Sequence, residues 1–381
     1  MQSAEPILEE IFDTLVVGAG PAGLGVGVAL KHAGVTNFQI LDRGSVASSF
    51  REWPSGMQLI TPSFPANSIG VLDLNSIAIG TSPGFSLGCE HPSGEDFAAH
   101  LLGVAKFFEL PTRSNTEVYS VTIKDEVFHL DTSSGTLTCK HLIWAAGEFQ
   151  FPNYPAIPGA NLGVHNSKVG DWSEYVRGGK GPAVIIGGYE SGVDAAVQLS
   201  KSKCHSIILG REPTWNSQDS DPSRSLSPFT TQRLLAAKKE NWVETVAPTE
   251  VIAIHANGSG YEVVTLDGQS FKTTRKPILA TGFRGGFQQV VDSFELRPDG
   301  YPLLNENDES TRTPNLFLVG PNVRHEDLIF CFIYKYRQRF GIVARAIGQR
   351  LGMDTTELET TYRRWGMFLD DLSCCGEQCV C

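Results

Sequence analysis

The chain has 381 residues, too many for one ordinary domain and enough for two with separate cores. Its formal net charge of −11 argues against nucleic acid and anionic membrane surfaces as partners, since no dense Lys/Arg run offsets it. Residues 1–13 carry Glu5, Glu9, Glu10 and Asp13 with no basic start or apolar core, so no secretory signal is expected and a cytoplasmic location is.

Phe12 to Val17 is a short apolar run ending in glycines and reads as a buried strand. A helix from about Ala22 to His32, closed by Gly34, and a strand Phe38 to Asp42 complete a β-α-β unit. From Arg43 to Gly94 the chain is rich in Ser, Pro and Gly and reads as an extended, ligand-covering excursion. A helix is expected from Glu95 to Phe108, then short strands at Glu117–Ile123, Val127–Asp131 and His141–Trp144. Prolines 152, 155 and 158 punctuate a linker. A second strand–turn–helix–strand unit follows: Pro182 to Gly187, Ser191 to Ser200, Ser206 to Gly210. It ends near Pro277–Gly282. Leu316 to Leu351 reads as a strand plus a long helix, with a last helix near Thr355–Leu372.

The two glycine turns carry the chemistry. Gly18-Ala19-Gly20-Pro21-Ala22-Gly23 fits G-x-G-x-x-G between a strand and a helix. The first glycine makes the turn, the second lets backbone approach a pyrophosphate, and the third lets helix and strand pack closely. The free N–H groups of the helix start favour the anion. Asp42, at the end of the next strand, is placed to accept from ribose hydroxyls. In the second turn, Gly187-Gly188-Tyr189-Glu190-Ser191-Gly192, tyrosine stands where the second glycine is expected. Arg211 follows the next strand, where an arginine suits the 2′-phosphate of NADP. NAD, and a merely solvated arginine, remain alternatives.

These residues, in this order, resemble two-domain FAD/NAD(P)H flavoproteins, above all flavin-containing monooxygenases and flavoproteins associated with cation efflux. The resemblance implies an α/β protein with two Rossmann-like dinucleotide-binding domains, the NAD(P)H domain inserted in the FAD domain. The boundaries it suggests are 1–150 and 283–372 for FAD, 151–282 for NAD(P)H and 373–381 for a cysteine-rich tail. It implies FAD and NADP as cofactors, NAD being possible, and a small-molecule substrate; a homodimer is compatible with it. Leu142–Gly147 and Ile278–Phe283 resemble the two crossovers, and Thr313–Pro321 the last FAD-binding strand. Beyond the glycine-turn residues and Asp42, this carries Arg43, Phe50, Val118, Ala146, Gly147, Gly282 and Gly320 as cofactor-binding positions. Arg324 and His325, as candidate catalytic residues, would assist a helix start near Leu328 that faces the flavin; a merely capped helix start is the alternative. The stretch Ile157–Ser167 resembles the monooxygenase signature region but breaks its spacing.

The usual redox cysteine pairs are missing from the turns, yet Cys374, Cys375, Cys379 and Cys381 crowd the end of the chain. Clustered thiols exchange disulfides or bind soft ions, so Cys374 and Cys375 are candidate catalytic residues and all four are candidate ligands of a soft metal or metalloid. An idle, frayed terminus is the alternative. Three activities stay open: oxygenation of a soft nucleophile (sulfur, nitrogen or trivalent arsenic), reduction of a disulfide or metal through the tail, and flavin-based redox sensing.

Overall fold

The computed structural model describes residues 11–219 and 221–374. It divides the chain into two compact units, one inserted in the other.

The first unit takes, among the described residues, 11–51, 62–148 and 285–374. Its central strand Ile11–Val17 lies parallel between Phe38–Leu41 and Gly135–Trp144, with Val17 opposite Leu41 on one side and Trp144 on the other. Leu316–Leu318 pairs parallel with Leu142–Trp144, and Thr112–Arg113 extends the other edge. The near-continuous apolar character of these strands fits a sheet covered on both faces: Leu15, Val16, Ile40, Leu142 and Ile143 are all fully buried. The first half of Gly135–Trp144 pairs antiparallel with the hairpin Val118–Lys124/Val127–Thr132. Its two-residue turn, Asp125-Glu126, has φ of 50° and 63°, the left-handed pair that a twisted hairpin favours.

Helix Pro21–His32 starts with proline in its first turn and buries every residue from Ala22 to Leu30. Gly25 lets helix Phe340–Arg350 approach it, since a Cβ there would fall 2.0 Å from the Phe340 ring. Helix Gly94–Phe107 begins with a capping box between Ser93 and Asp96.

The second unit takes Glu52–Thr61 and Phe149–Arg284. Residues 52–61, expected with the first domain, fall here because Gln198 Nε2 donates to Gly56 O at 2.7 Å and Ser55 N to Gly170 O at 3.0 Å. A five-stranded parallel sheet runs in the order Val243–Val246, Ser206–Leu209, Ala183–Ile186, Ile278–Leu279, Val164–His165. Helix Glu190–Lys201 packs on it through Val193, Ala196 and Leu199. A separate antiparallel sheet, Val251–Asn257, Gly260–Thr265 and Ser270–Thr273, had no counterpart in the sequence reading.

Three helix expectations change. The covering excursion holds short helices at Ser48–Arg51 and Pro83–Leu87. No helix begins near Leu328: Glu326, at φ 47°, reverses the chain into a small hairpin, Arg324–His325 against Leu328–Ile329, and helix resumes only at Ile333. The last helix runs Thr356–Arg364 and stops before Gly366, which is left-handed at φ 65°.

Candidate functional site: two glycine turns and a half-buried acid

In the first unit, Gly18 N donates to Leu41 O at 2.7 Å and Ala145 N to Val17 O at 2.8 Å, drawing three strand ends together under the turn. Gly18 has φ 112°, and a Cβ on it would sit 2.4 Å from Ala145 O. A Cβ on Gly23 would fall 1.8 Å from Gly18 O, so the third glycine is required by helix–turn contact. Gly20 is different: a Cβ on it would meet no atom within 4 Å. Gly20 caps Pro21–His32 with no side-chain hydrogen bond and no acid in the first turn, which leaves N–H groups pointing into open space. A pyrophosphate fits this cradle. Ala22 faces Gly320, whose added Cβ would be 3.1 Å from its own, so Gly320 closes the turn from the last strand.

Asp42 spends part of its carboxylate on the loop, accepting from Ala19 N and Gly44 N, each at 2.8 Å. A carboxylate has about four acceptor sites, so capacity remains for ribose hydroxyls. Asn115 N and Thr116 N donate to Gly44 O and Asp42 O, and so set the stretch leading to buried Val118 beside the acid. Arg43 is exposed, and Phe50 meets Phe97 edge-on at 5.0 Å. Ala146 and Gly147 end the crossover; Gly147, at φ 64°, has nothing within 4 Å of an added Cβ and accepts from Gly286 N at 2.6 Å.

Next to Gly147 stands Glu148, which the sequence reading passed over. Asn322 Nδ2 donates to its Oε2 at 3.3 Å. Burial pushes the Glu148 carboxyl above the usual carboxylate range, against the opposing pull of Arg324 and the Asn322 bond. Tyr336, 5% exposed, feels the same acid, and burial also drives its phenol upward. Arg324 donates to Pro321 O and Val323 O, both at 2.7 Å, and lies over the Tyr301 ring at 4.3 Å. His325 turns elsewhere: its ring Nε2 lies 2.5 Å from Asp308 Oδ1, in a buried cluster completed by Arg339. The structure therefore ties His325 to a structural ion cluster and to no helix start.

In the second unit the turn is built the same way. Gly187 N donates to Leu209 O, Ala280 N to Ile186 O, and a Cβ on Gly187 (φ 118°) would be 2.1 Å from Ala280 O. A Cβ on Gly192 would lie 1.9 Å from Gly187 O. Tyr189 points away: its hydroxyl donates to Ser225 O at 2.8 Å and Pro222 O at 3.3 Å. Glu190 accepts from Ser227 N and Thr230 Oγ1, and burial raises its carboxyl, which lowers the negative charge it presents at the helix start. Ser191 is half-buried behind it. Gly188 is packed by Trp215, unremarked in the sequence, whose ring lies 2.9 Å from the position of an added Cβ. Arg211 is exposed and pairs with Glu250 at 3.5 Å. Gly282, at φ 76°, is held through its carbonyl by Asn153 N and by His165 Nε2, each at 2.9 Å.

A family model for the pyridine nucleotide-disulphide oxidoreductases matches residues 15–320, from inside the first strand to Gly320. The chain belongs to that family. Membership carries FAD and a pyridine nucleotide as cofactors. The uncharacterised oxidoreductase CzcO of Bacillus velezensis is 30% identical over 210 residues, 54% of this chain and 56% of that one. The chain spans about half the length of the curated relatives it matches first. The bacillithiol disulfide reductase Bdr of Staphylococcus aureus superposes with a TM-score of 0.72 at 20% identity, covering 90% of this chain and 99% of its own. A flavin-containing monooxygenase of Stenotrophomonas maltophilia gives 0.70 at 17%, covering 90% and 99%. These two likenesses establish the shared fold.

The family's cysteine chemistry has little to work with among the described residues. Cys89, Cys139, Cys204 and Cys331 are in no disulfide. Burial pushes Cys139 up to about 12 and raises Cys204 as well, so neither supplies a thiolate. No group of three His, Cys, Asp or Glu among the described residues is arranged for a metal. Cys374 ends the short turn Leu372–Cys374, while Cys375, Cys379 and Cys381 lie outside the described residues. No helix among the described residues is long and apolar enough to cross a membrane.

Proposed function

We propose that this chain is an FAD-dependent enzyme that oxidises NADPH and places one atom of O₂ on a soft heteroatom of a small molecule: sulfur, nitrogen or a trivalent metalloid. The balance is NADPH + H⁺ + O₂ + substrate → NADP⁺ + H₂O + oxygenated substrate. The observation that carries the reading is the company of Gly147 and Gly320: an acid, an amide, a guanidinium and a phenol (Glu148, Asn322, Arg324, Tyr336) in place of a pair of thiols. Bound FAD would supply the two-electron chemistry. The chain would hold its pyrophosphate at Gly20 and the start of Pro21–His32, and its ribose at Asp42. Gly187–Gly192 would cradle the second dinucleotide, with Arg211 on the 2′-phosphate.

The test is NADPH oxidation under ¹⁸O₂ with thioether, amine and arsenite substrates, followed by mass spectrometry of the product. One labelled oxygen per NADPH is expected with at least one class. Turnover that continues without oxygen, or that yields only peroxide with every class, overturns the reading. The four tail cysteines favour a second reading, a disulfide or metal reductase. Under it, Cys374→Ser/Cys375→Ser abolishes turnover while NADPH still bleaches the flavin; under the oxygenase reading that variant keeps its turnover.

A further inference from the structure

We propose that Glu148 is a redox-linked proton site: its carboxyl takes up a proton when two electrons enter the flavin and releases it when they leave. The inference rests on the flavin reading above and deepens it by naming the group that answers charge on the ring.

Compare the acids of the first unit. Asp308 is met by His325 Nε2 and by Arg339 Nε and Nη2. Asp73 accepts from Asn75 N, Ser82 Oγ and Gly84 N. Three donors meet each of these carboxylates, as a structural role requires. Glu148 has one hydrogen bond among the described residues, the 3.3 Å contact from the neutral amide of Asn322. Arg324 is the cation that faces it, but Arg324 Nη1 is engaged with two carbonyls and no ion pair forms. Tyr336, 5% exposed, faces it too. Cys331 is the further titratable group that acts on Tyr336. The nearby His325 is committed to Asp308.

Glu148 is half-buried, with one neutral donor and no ion pair to hold its charge, so a proton is readily taken there when negative charge arrives nearby. The site also lies beside Gly147, where an added Cβ would meet no atom within 4 Å. Negative charge arriving nearby in a poorly screened region raises a carboxyl's proton affinity further. The balance is simple. A hydride from NADPH would bring two electrons and one proton to a bound ring; Glu148 would bind one further proton from solvent to answer the charge gained. On oxidation Glu148 returns that proton to solvent.

The experiment is the midpoint potential of the bound FAD measured from mildly acid to mildly alkaline pH in the wild type and in Glu148→Gln. One additional proton per two electrons steepens the potential by about 30 mV per pH unit. The wild type is expected to show that steeper segment and Glu148→Gln to lack it, both carrying full flavin. Superposable curves in two yellow proteins overturn this inference and leave the flavin reading standing. A colourless wild type that takes up no FAD overturns both. Should Glu148→Gln fail to fold, the reduced-minus-oxidised infrared difference spectrum of the wild type decides: a gain of protonated-carboxyl absorption that shifts in D₂O is expected, and its absence overturns the proposal.

Discussion

Replacing Arg339 by methionine isolates the buried cluster that anchors the end of the first unit. Asp308 is 0% exposed and Arg339 1%. Arg339 Nε and Nη2 reach Asp308 at 3.0 and 2.8 Å, and Nη2 also donates to Glu306 O at 2.6 Å. Nη1 donates to Leu369 O. Burial alone would raise the Asp308 carboxyl; the Arg339 charge and the His325 bond outweigh it and hold the carboxyl below its ordinary range. Breaking one side of such a pair costs about 3–5 kcal/mol. Protonation sets a ceiling, because adding a proton at pH 7 to a carboxyl of ordinary pKa costs about 4 kcal/mol. The sign with pH follows. In the wild type the depressed carboxyl contributes its stability above its unfolded pKa, near 3.9, and loses it only as pH falls below that. In Arg339→Met burial wins, the folded carboxyl is raised, and stability is lost as pH rises through it. The deficit should therefore shrink by about 2–3 kcal/mol between pH 7 and pH 5, where protonation costs only about 1.5 kcal/mol. Urea unfolding at both pH values, read by circular dichroism, measures it. A deficit below about 1 kcal/mol, or one equal at the two pH values, refutes the buried-charge argument.

The glycines of the first turn should separate binding from folding. Gly20→Ala adds a methyl where no atom lies within 4 Å, so stability should move by less than about 0.5 kcal/mol while FAD affinity falls about tenfold; Gly23→Ala, 1.8 Å from Gly18 O, should lose about 1–3 kcal/mol in the same urea series. Arg211→Ala breaks only an exposed ion pair with Glu250 and should leave stability unchanged. If Arg211 grips a 2′-phosphate, KM for NADPH rises about tenfold or more with that for NADH unchanged; equal changes for both nucleotides refute the role.

What the sequence showed plainly was whatever local spacing encodes. The strand–glycine–helix units were legible because strand period, turn glycines and helix start lie within one short window, and the fold places Gly18 and Gly187 in matching hydrogen-bond frames. The sheet of residues 251–273 does carry a local signal: Asn257-Gly258-Ser259-Gly260 between two alternating runs is a hairpin turn. The helix expected near Leu328 went wrong because the left-handed Glu326 turn carries no glycine to announce it. Partners distant in sequence were out of reach altogether. Asp308 and Arg339 lie 31 residues apart, and Glu148 and Asn322 lie 174 apart, with no periodicity linking them. For His325 the residue type suggested chemistry, and only the packing revealed a carboxylate already waiting for it.

The two turns, compared position by position, also say what the middle glycine is for. Gly20 has φ −84° and ψ −172°, and Tyr189 has φ −103° and ψ −165°. Both are extended conformations open to any residue, so this position makes no demand for glycine's left-handed freedom. Its demand is volume in front of the helix start. The first turn meets it by having no side chain there. The second meets it by sending the tyrosine ring aside and tying the hydroxyl to Pro222 O and Ser225 O. That tie has a consequence the glycine lacks. It couples the helix start to the segment that runs on from Arg211, while Trp215 from the same segment packs on Gly188. The second cradle is thus fastened to the loop that would read the nucleotide's ribose phosphate, whereas in the first the acid Asp42 does the fastening through Ala19 and Gly44. One backbone solution serves both turns, and the side chains around it give each a different means of holding its loop.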